Sequence, residues 1–146
     1  MNDVQLIEEV RAFNRFYLPF MNLLGRHYLK SEYSAAEARV LFEIYQAEGC
    51  TAAYISQKMG LDKSYVSRIL SSYDKQHYLL REKSQEDGRS QALYLTDLGK
   101  KRAEDFIEKS NTEISELLAF LSPSEKEELY QAIRTIMRLL SQGKTK

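Results

Sequence analysis

Residues 51–73 read TAAYISQKMGLDKSYVSRILSSY, and this stretch decides the fold. Thr51 can cap a helix N-terminus through its hydroxyl, Ile55 and Met59 then recur four apart on one face, and Gly60 is a natural stop. Asp62 follows at once as a second cap, and Val66, Ile69, Leu70 and Tyr73 mark the inner face of the next helix. Two short helices joined by a tight glycine-containing turn are a helix-turn-helix.

Upstream, Ser34-Ala35-Ala36-Glu37 is a capping box, in which hydroxyl and carboxylate satisfy each other's orphan amides. Val40, Leu41, Ile44 and Tyr45 supply the buried face of the helix it opens, and Gly49 ends the run. Residues 4–30 read as one long helix, with Leu6, Val10, Phe13, Tyr17, Phe20 and Leu24 spaced four, three, four, three and four. Pro19 removes one backbone hydrogen bond from it, so a kink or break is expected there.

Downstream the pattern changes. Leu80 to Ser84 and Gln91 to Leu95 read as short strands bracketing the polar turn 85–90, a β-hairpin with a charged tip. Thr96 then caps a long amphipathic helix carrying Phe106, Ile107, Ile114, Leu117, Leu118 and Leu121. Ser122-Pro123-Ser124-Glu125 is a second capping box, with proline at the first helical position. The last helix places Leu129, Ile133, Ile136 and Leu140 four, three and four apart.

The fold class is therefore mainly α with a small β-hairpin wing: three helices, a recognition helix, the hairpin, then two helices. The expected organisation is an N-terminal dimerisation helix over 1–32, a winged helix-turn-helix over 33–100 and C-terminal dimerisation helices over 101–146. Helical ends patterned this way but with little globular core to cover pack against each other within the chain or against a second copy. A homodimer is favoured, because a two-fold axis also matches palindromic DNA half-sites.

Charge is uneven although the net charge is zero. Residues 58–102 hold ten lysines and arginines against six acids, a net +4, whereas each flank carries −2 (five bases against seven acids, and six against eight). A basic centre between acidic flanks is the footprint of a DNA-binding module inside a separate scaffold; ordinary surface scatter is the competing explanation. No apolar run approaches the ~18 residues that span a bilayer. The opening Met1-Asn2-Asp3 has no basic segment followed by an apolar one, so no export signal and no membrane partner are expected. The single cysteine, Cys50, fits a reducing cytoplasm and is expected to be a small buried residue near a helix start.

In this order, helix 34–48, Thr51–Met59, Leu61 through Leu70, Tyr78-Leu79-Leu80-Arg81, the tip Asp87-Gly88-Arg89 and Leu95-Thr96-Asp97-Leu98-Gly99 resemble the MarR family of bacterial winged helix-turn-helix regulators. The resemblance covers nearly the whole chain, including the long helices at both ends. It implies a triangular dimer with interlocked terminal helices, binding an operator near a promoter, usually as a repressor relieved by a small molecule or an oxidant. Family members that sense oxidants through a cysteine in the first helix are not matched, since that region has none here; two histidines do not supply the ligand set of zinc-binding members.

The recognition helix would lie in the major groove, with Lys63, Ser64, Tyr65, Ser67 and Arg68 exposed. Arg68 reads guanine through a bidentate fork or grips phosphate; Ser64 and Ser67 are short donors, and Tyr65 could stack on sugar or meet a thymine methyl. In the wing, Arg89 would enter the adjacent minor groove, oriented by Asp87, with Gly88 permitting the turn. Arg81, Lys83 and Lys100 are candidate phosphate contacts. Phe13, Tyr17, Phe20, His27 and Tyr28 are candidates for an apolar or phenolic effector pocket, although a stripe at helical spacing is more often simply core. His27 and His77 stand far apart without clustered partners, and Cys50 has no metal-ligand spacing, so neither an enzyme nor a metal or other cofactor is expected. The alternative function is a winged-helix module that binds another protein, without direct DNA readout.

Overall fold

A computed structural model describes residues 1–83 and 90–145. In chain order the elements are α1 (Asp3–Phe20), α2 (Ala35–Gln46), α3 (Ala52–Met59), α4 (Lys63–Lys75), β1 (Leu79–Lys83), β2 (Gln91–Leu95), α5 (Asp97–Leu117) and α6 (Pro123–Ser141), with short 3-10 turns at Tyr28–Lys30 and Gln142–Thr145. The chain divides into two compact units, Met1–Ser110 and Asn111–Lys146.

The first unit is built on local signals that the structure satisfies. Ser34 and Glu37 exchange both bonds of a capping box, with Ser34 N–H donating to Glu37 Oε1 at 3.0 Å and Glu37 N–H donating to Ser34 Oγ at 3.2 Å. Thr51 accepts from the Tyr54 amide at 3.1 Å, and Gly60 closes α3 in the left-handed region at φ 65°, where a side chain would be strained. Asp62 caps α4 by accepting from the Ser64 amide at 3.3 Å.

Val40, Leu41 and Ile44 of α2, Ile55 of α3, Val66, Ile69, Leu70 and Tyr73 of α4, and Leu93 and Leu95 of β2 are buried together, joined by Ala103 and Phe106 of α5. Tyr73 donates to the Glu37 carbonyl, tying α4 to α2, and burial raises its phenol well above the usual range. The neighbouring Tyr33 stacks edge-on against it at 5.3 Å, and burial first, then Tyr78, push its phenol up to about 12.

Two departures from the sequence expectation have clear causes. The first helix ends at Phe20, ten residues short of Lys30. It runs through Pro19 and stops where Asn22 turns left-handed at φ 55°: Leu23 N–H donates to Leu18 O at 3.0 Å and Asn22 N–H to Pro19 O at 3.1 Å, the paired bonds of a Schellman cap. Pro19 itself stays helical, and the expected break comes just after it, set by the Asn-centred cap. The second departure is at the wing, where the first strand begins at Leu79 instead of Leu80 and an isolated bridge residue, Cys50, adds to its edge. Cys50 bridges Leu93, with Gly49 N–H donating to Leu93 O and Leu93 N–H to Cys50 O, both at 2.8 Å.

The same terminal motif recurs after α4. His77 is left-handed at φ 61°, Tyr78 N–H donates to Tyr73 O and His77 N–H to Asp74 O, both at 3.0 Å. Thr96 clamps this corner: its hydroxyl donates to His77 O at 2.7 Å and accepts from Gly99 N–H at 3.0 Å, so it also caps α5. Gly99 packs on the Tyr78 backbone, where an added Cβ would collide with the carbonyl oxygen. This close approach is what the Leu-Thr-x-x-Gly run provides.

The second unit holds the end of α5 and α6. Ser122 and Glu125 form the expected capping box, with Pro123 at the helix start. Within it Phe120, Tyr130, Ile133, Ile136, Met137, Leu139 and Leu140 are exposed.

Candidate nucleic-acid interface

Helix α4 separates its residues cleanly by chemistry. Val66, Ile69, Leu70 and Tyr73 are buried, while Lys63, Ser64, Ser67 and Arg68 are exposed on the other side. The four exposed residues are three to four apart, so they share the outer face of the helix's first two turns. Tyr65 is half-buried against the core, and the Arg68 guanidinium lies over its ring at 5.8 Å. Tyr65 is therefore a platform for Arg68 as well as a candidate contact.

Helix α3 packs on α4 and ends in an exposed pair that the sequence reading did not single out, Lys58 over the Tyr54 ring at 5.8 Å. Their (i, i+4) spacing was the available signal.

Among the described residues the wing is a two-stranded antiparallel sheet, with Leu79 opposite Leu95, Arg81 opposite Leu93 and Lys83 opposite Gln91. Lys83 is exposed at the outer end of β1. Arg81 is engaged: Nη2 donates to Asp74 Oδ2 at 2.7 Å, Nε to Asp74 Oδ1 at 3.3 Å and Nη1 to Gln91 Oε1 at 3.2 Å. Lys100 lies 3.7 Å from Glu48. Asp87, Gly88 and Arg89 lie outside the described residues.

Residues 32–90 match the family model described as the MarR family. The winged-helix segment is thus similar to the MarR family. Along its full length the chain is similar to an uncharacterized HTH-type transcriptional regulator, YfiV, of Bacillus subtilis (strain 168), with 26% identity over 99% of this chain and 92% of that one. The fold matches the crystal structure of a MarR transcriptional regulator from Methanosarcina mazei Go1 (16% identity, 96% and 99% of the two chains, TM-score 0.73). It also matches Streptococcus pneumoniae FabT in complex with DNA (20% identity, 96% and 99% of the two chains, TM-score 0.68).

The residues expected to line an effector pocket outside the winged helix fall into separate contact groups. Phe13 stacks on Tyr17 at 5.2 Å and Phe20 on Phe16 at 5.5 Å along α1, none of whose residues is buried. Tyr28 instead lies against Phe106 at 6.5 Å, and exposed His27 meets the Ser31 carbonyl through Nδ1 at 3.0 Å. Within the winged helix, Cys50 is half-buried and packed on the core, with burial pushing its thiol up to about 11. A thiol so placed is protonated and poorly nucleophilic at neutral pH.

Proposed function

We propose that the chain binds duplex DNA in a sequence-specific way as a homodimer and regulates transcription, acting as a repressor that a small apolar or aromatic effector releases. The observation that carries this reading is the two-sided α4: a core-buried inner face holds a rigid outer face of Lys63, Ser64, Ser67 and Arg68 free of the protein interior. A major groove about 12 Å wide admits such a helix, and short hydroxyls beside long cations suit close approach to base edges and phosphates.

The homodimer reading is supported by the apolar residues that α1 and α6 leave exposed within one chain, Val10 and Phe13 on one, Ile136 and Leu140 on the other. A two-fold pair would set two α4 helices on half-sites of a palindromic operator. The wing proposal is that Arg89, oriented by Asp87, enters the neighbouring minor groove, with Lys83 and Lys100 near phosphates. For the effector, the α1 aromatics Phe13, Tyr17 and Phe20, with His27 and Tyr28, are the residues proposed. The setting proposed for all of this is the cytoplasm; among the described residues no helix is long and apolar enough to cross a membrane.

The test is selection of a duplex from a randomised pool by the wild-type chain, followed by mobility shifts over a salt series. Phosphate contacts make affinity fall steeply with salt. Arg89→Ala should lose binding with the fold intact. Arg68→Ala should cost about 1–3 kcal/mol at one position of the site if the side chain reads guanine, or weaken all sequences alike and reduce the salt slope by about one if it grips phosphate. Salt-insensitive binding without sequence preference would overturn the proposal.

A further inference from the structure

We infer that Arg81 is a positioning residue, which with Asp74 and Gln91 fixes the wing strands against the C-terminal end of the recognition helix. The inference rests on the DNA-binding reading above and assigns Arg81 a role other than phosphate contact.

The register shows why its side chain takes this path. Directly paired residues of an antiparallel ladder share a face, so Arg81 lies on the side of β1 that carries Leu79, with Leu93 and Leu95 across from them, and all three leucines are buried. Arg81 is the first charged residue beyond that apolar row. It reaches from the sheet to Asp74 in the last turn of α4 through a two-pronged contact of 2.7 and 3.3 Å, and diagonally to Gln91 at 3.2 Å. One guanidinium thus joins three elements: α4, β1 and β2.

An isolated exposed ion pair contributes little. Here the fork is met bidentately by one carboxylate and the remaining amino group donates to a second partner, Gln91, which fixes direction as well as distance. The Arg81 side chain is 29% exposed and that of Asp74 43% exposed, so the pair is partly shielded by the elements it joins. Three of the five N–H donors of Arg81 are committed to Asp74 and Gln91, so its direction is set by the protein. Reading two grooves at once needs a constant spacing between α4 and the wing strands, and this junction adds directional hydrogen bonds from α4 and β2 to one β1 side chain on top of the shared apolar core.

The experiment is a double-mutant cycle read as preference for the selected duplex over a scrambled duplex. Asp74→Asn and Arg81→Gln should each reduce that preference roughly three- to tenfold, and the double variant should be no worse than either single. Asp74→Glu should keep the preference within about twofold, because the carboxylate is retained. The salt slope of Arg81→Gln should stay at the wild-type value. In the DNA-free protein, amide exchange across β1 and β2 should quicken in both single variants. A phosphate contact gives the opposite pattern: Asp74→Asn strengthens binding by removing an acid, Arg81→Gln takes about one from the salt slope, and the effects add. That pattern, or unchanged exchange in the strands, overturns the inference. Failure of the wild type to select any duplex is a different result: it removes the DNA-binding reading, while the exchange measurement still decides whether the tether holds the wing.

Discussion

The winged-helix core and the terminal helices use the same sequence vocabulary and reach opposite outcomes. Leu41 and Ile44 of α2 lie at helical spacing and are wholly buried, whereas Ile136 and Leu140 of α6, at equally regular spacing, are 41% and 69% exposed. Apolar periodicity states that a face wants cover. It does not state whether the cover comes from the same chain. In the core, α2, α3, α4 and the wing cover one another; α1 and α6 leave apolar residues exposed, the ones proposed above to meet a second copy.

The sharpest way to break this contrast is to truncate one residue from each region. Leu41→Ala should destabilise the fold by about 2–5 kcal/mol in denaturant unfolding, since a fully enclosed site leaves a cavity. Ile136→Ala, measured dilute enough for the chain to be monomeric, should cost less than about 0.5 kcal/mol, while weakening self-association in sedimentation. Equal costs in the dilute chain would erase the distinction.

A smaller effect sharpens it. Both regions open a helix with the same capping box, Ser34 with Glu37 and Ser122 with Glu125. Loss of either serine to alanine should cost about 1 kcal/mol of local helix stability. Ser34→Ala should lower the global unfolding free energy, because α2 is core; Ser122→Ala should show itself only as faster amide exchange in the first turn of α6.

The smallest effect is a pH dependence confined to α6. Hydrogen bonds from the Ser122 amide and hydroxyl hold the fully exposed Glu125 carboxyl below its ordinary value of 4.5. A carboxyl with a depressed folded-state pKa stabilises above its unfolded value and loses that contribution as pH falls through the folded value. Amide signals of Ser122 and Glu125 should therefore report fraying only as pH drops below the usual carboxylate range. Glu125→Gln should keep the reciprocal bond and abolish that dependence.

Much of the candidate interface was readable from local chemistry. The caps at Ser34, Thr51, Asp62 and Ser122 and the inner face of α4 follow from contacts three or four residues apart, so their spacing appears directly in the chain. Tyr65 shows the limit of that logic: helical spacing puts it at the boundary between faces, and only packing against the core made it a half-buried support for Arg68.

By itself, then, the sequence determined the order of elements, the helix starts and the split of α4 into a buried and an exposed face, because each depends on neighbours within one helical turn. Tertiary structure alone decided the bridge from Cys50 to Leu93, the approach of Gly99 to the Tyr78 backbone and the junction of Asp74, Arg81 and Gln91. Those contacts join different elements, and no periodicity encodes them: they exist only once the helices and hairpin have packed and brought distant backbone within hydrogen-bonding reach.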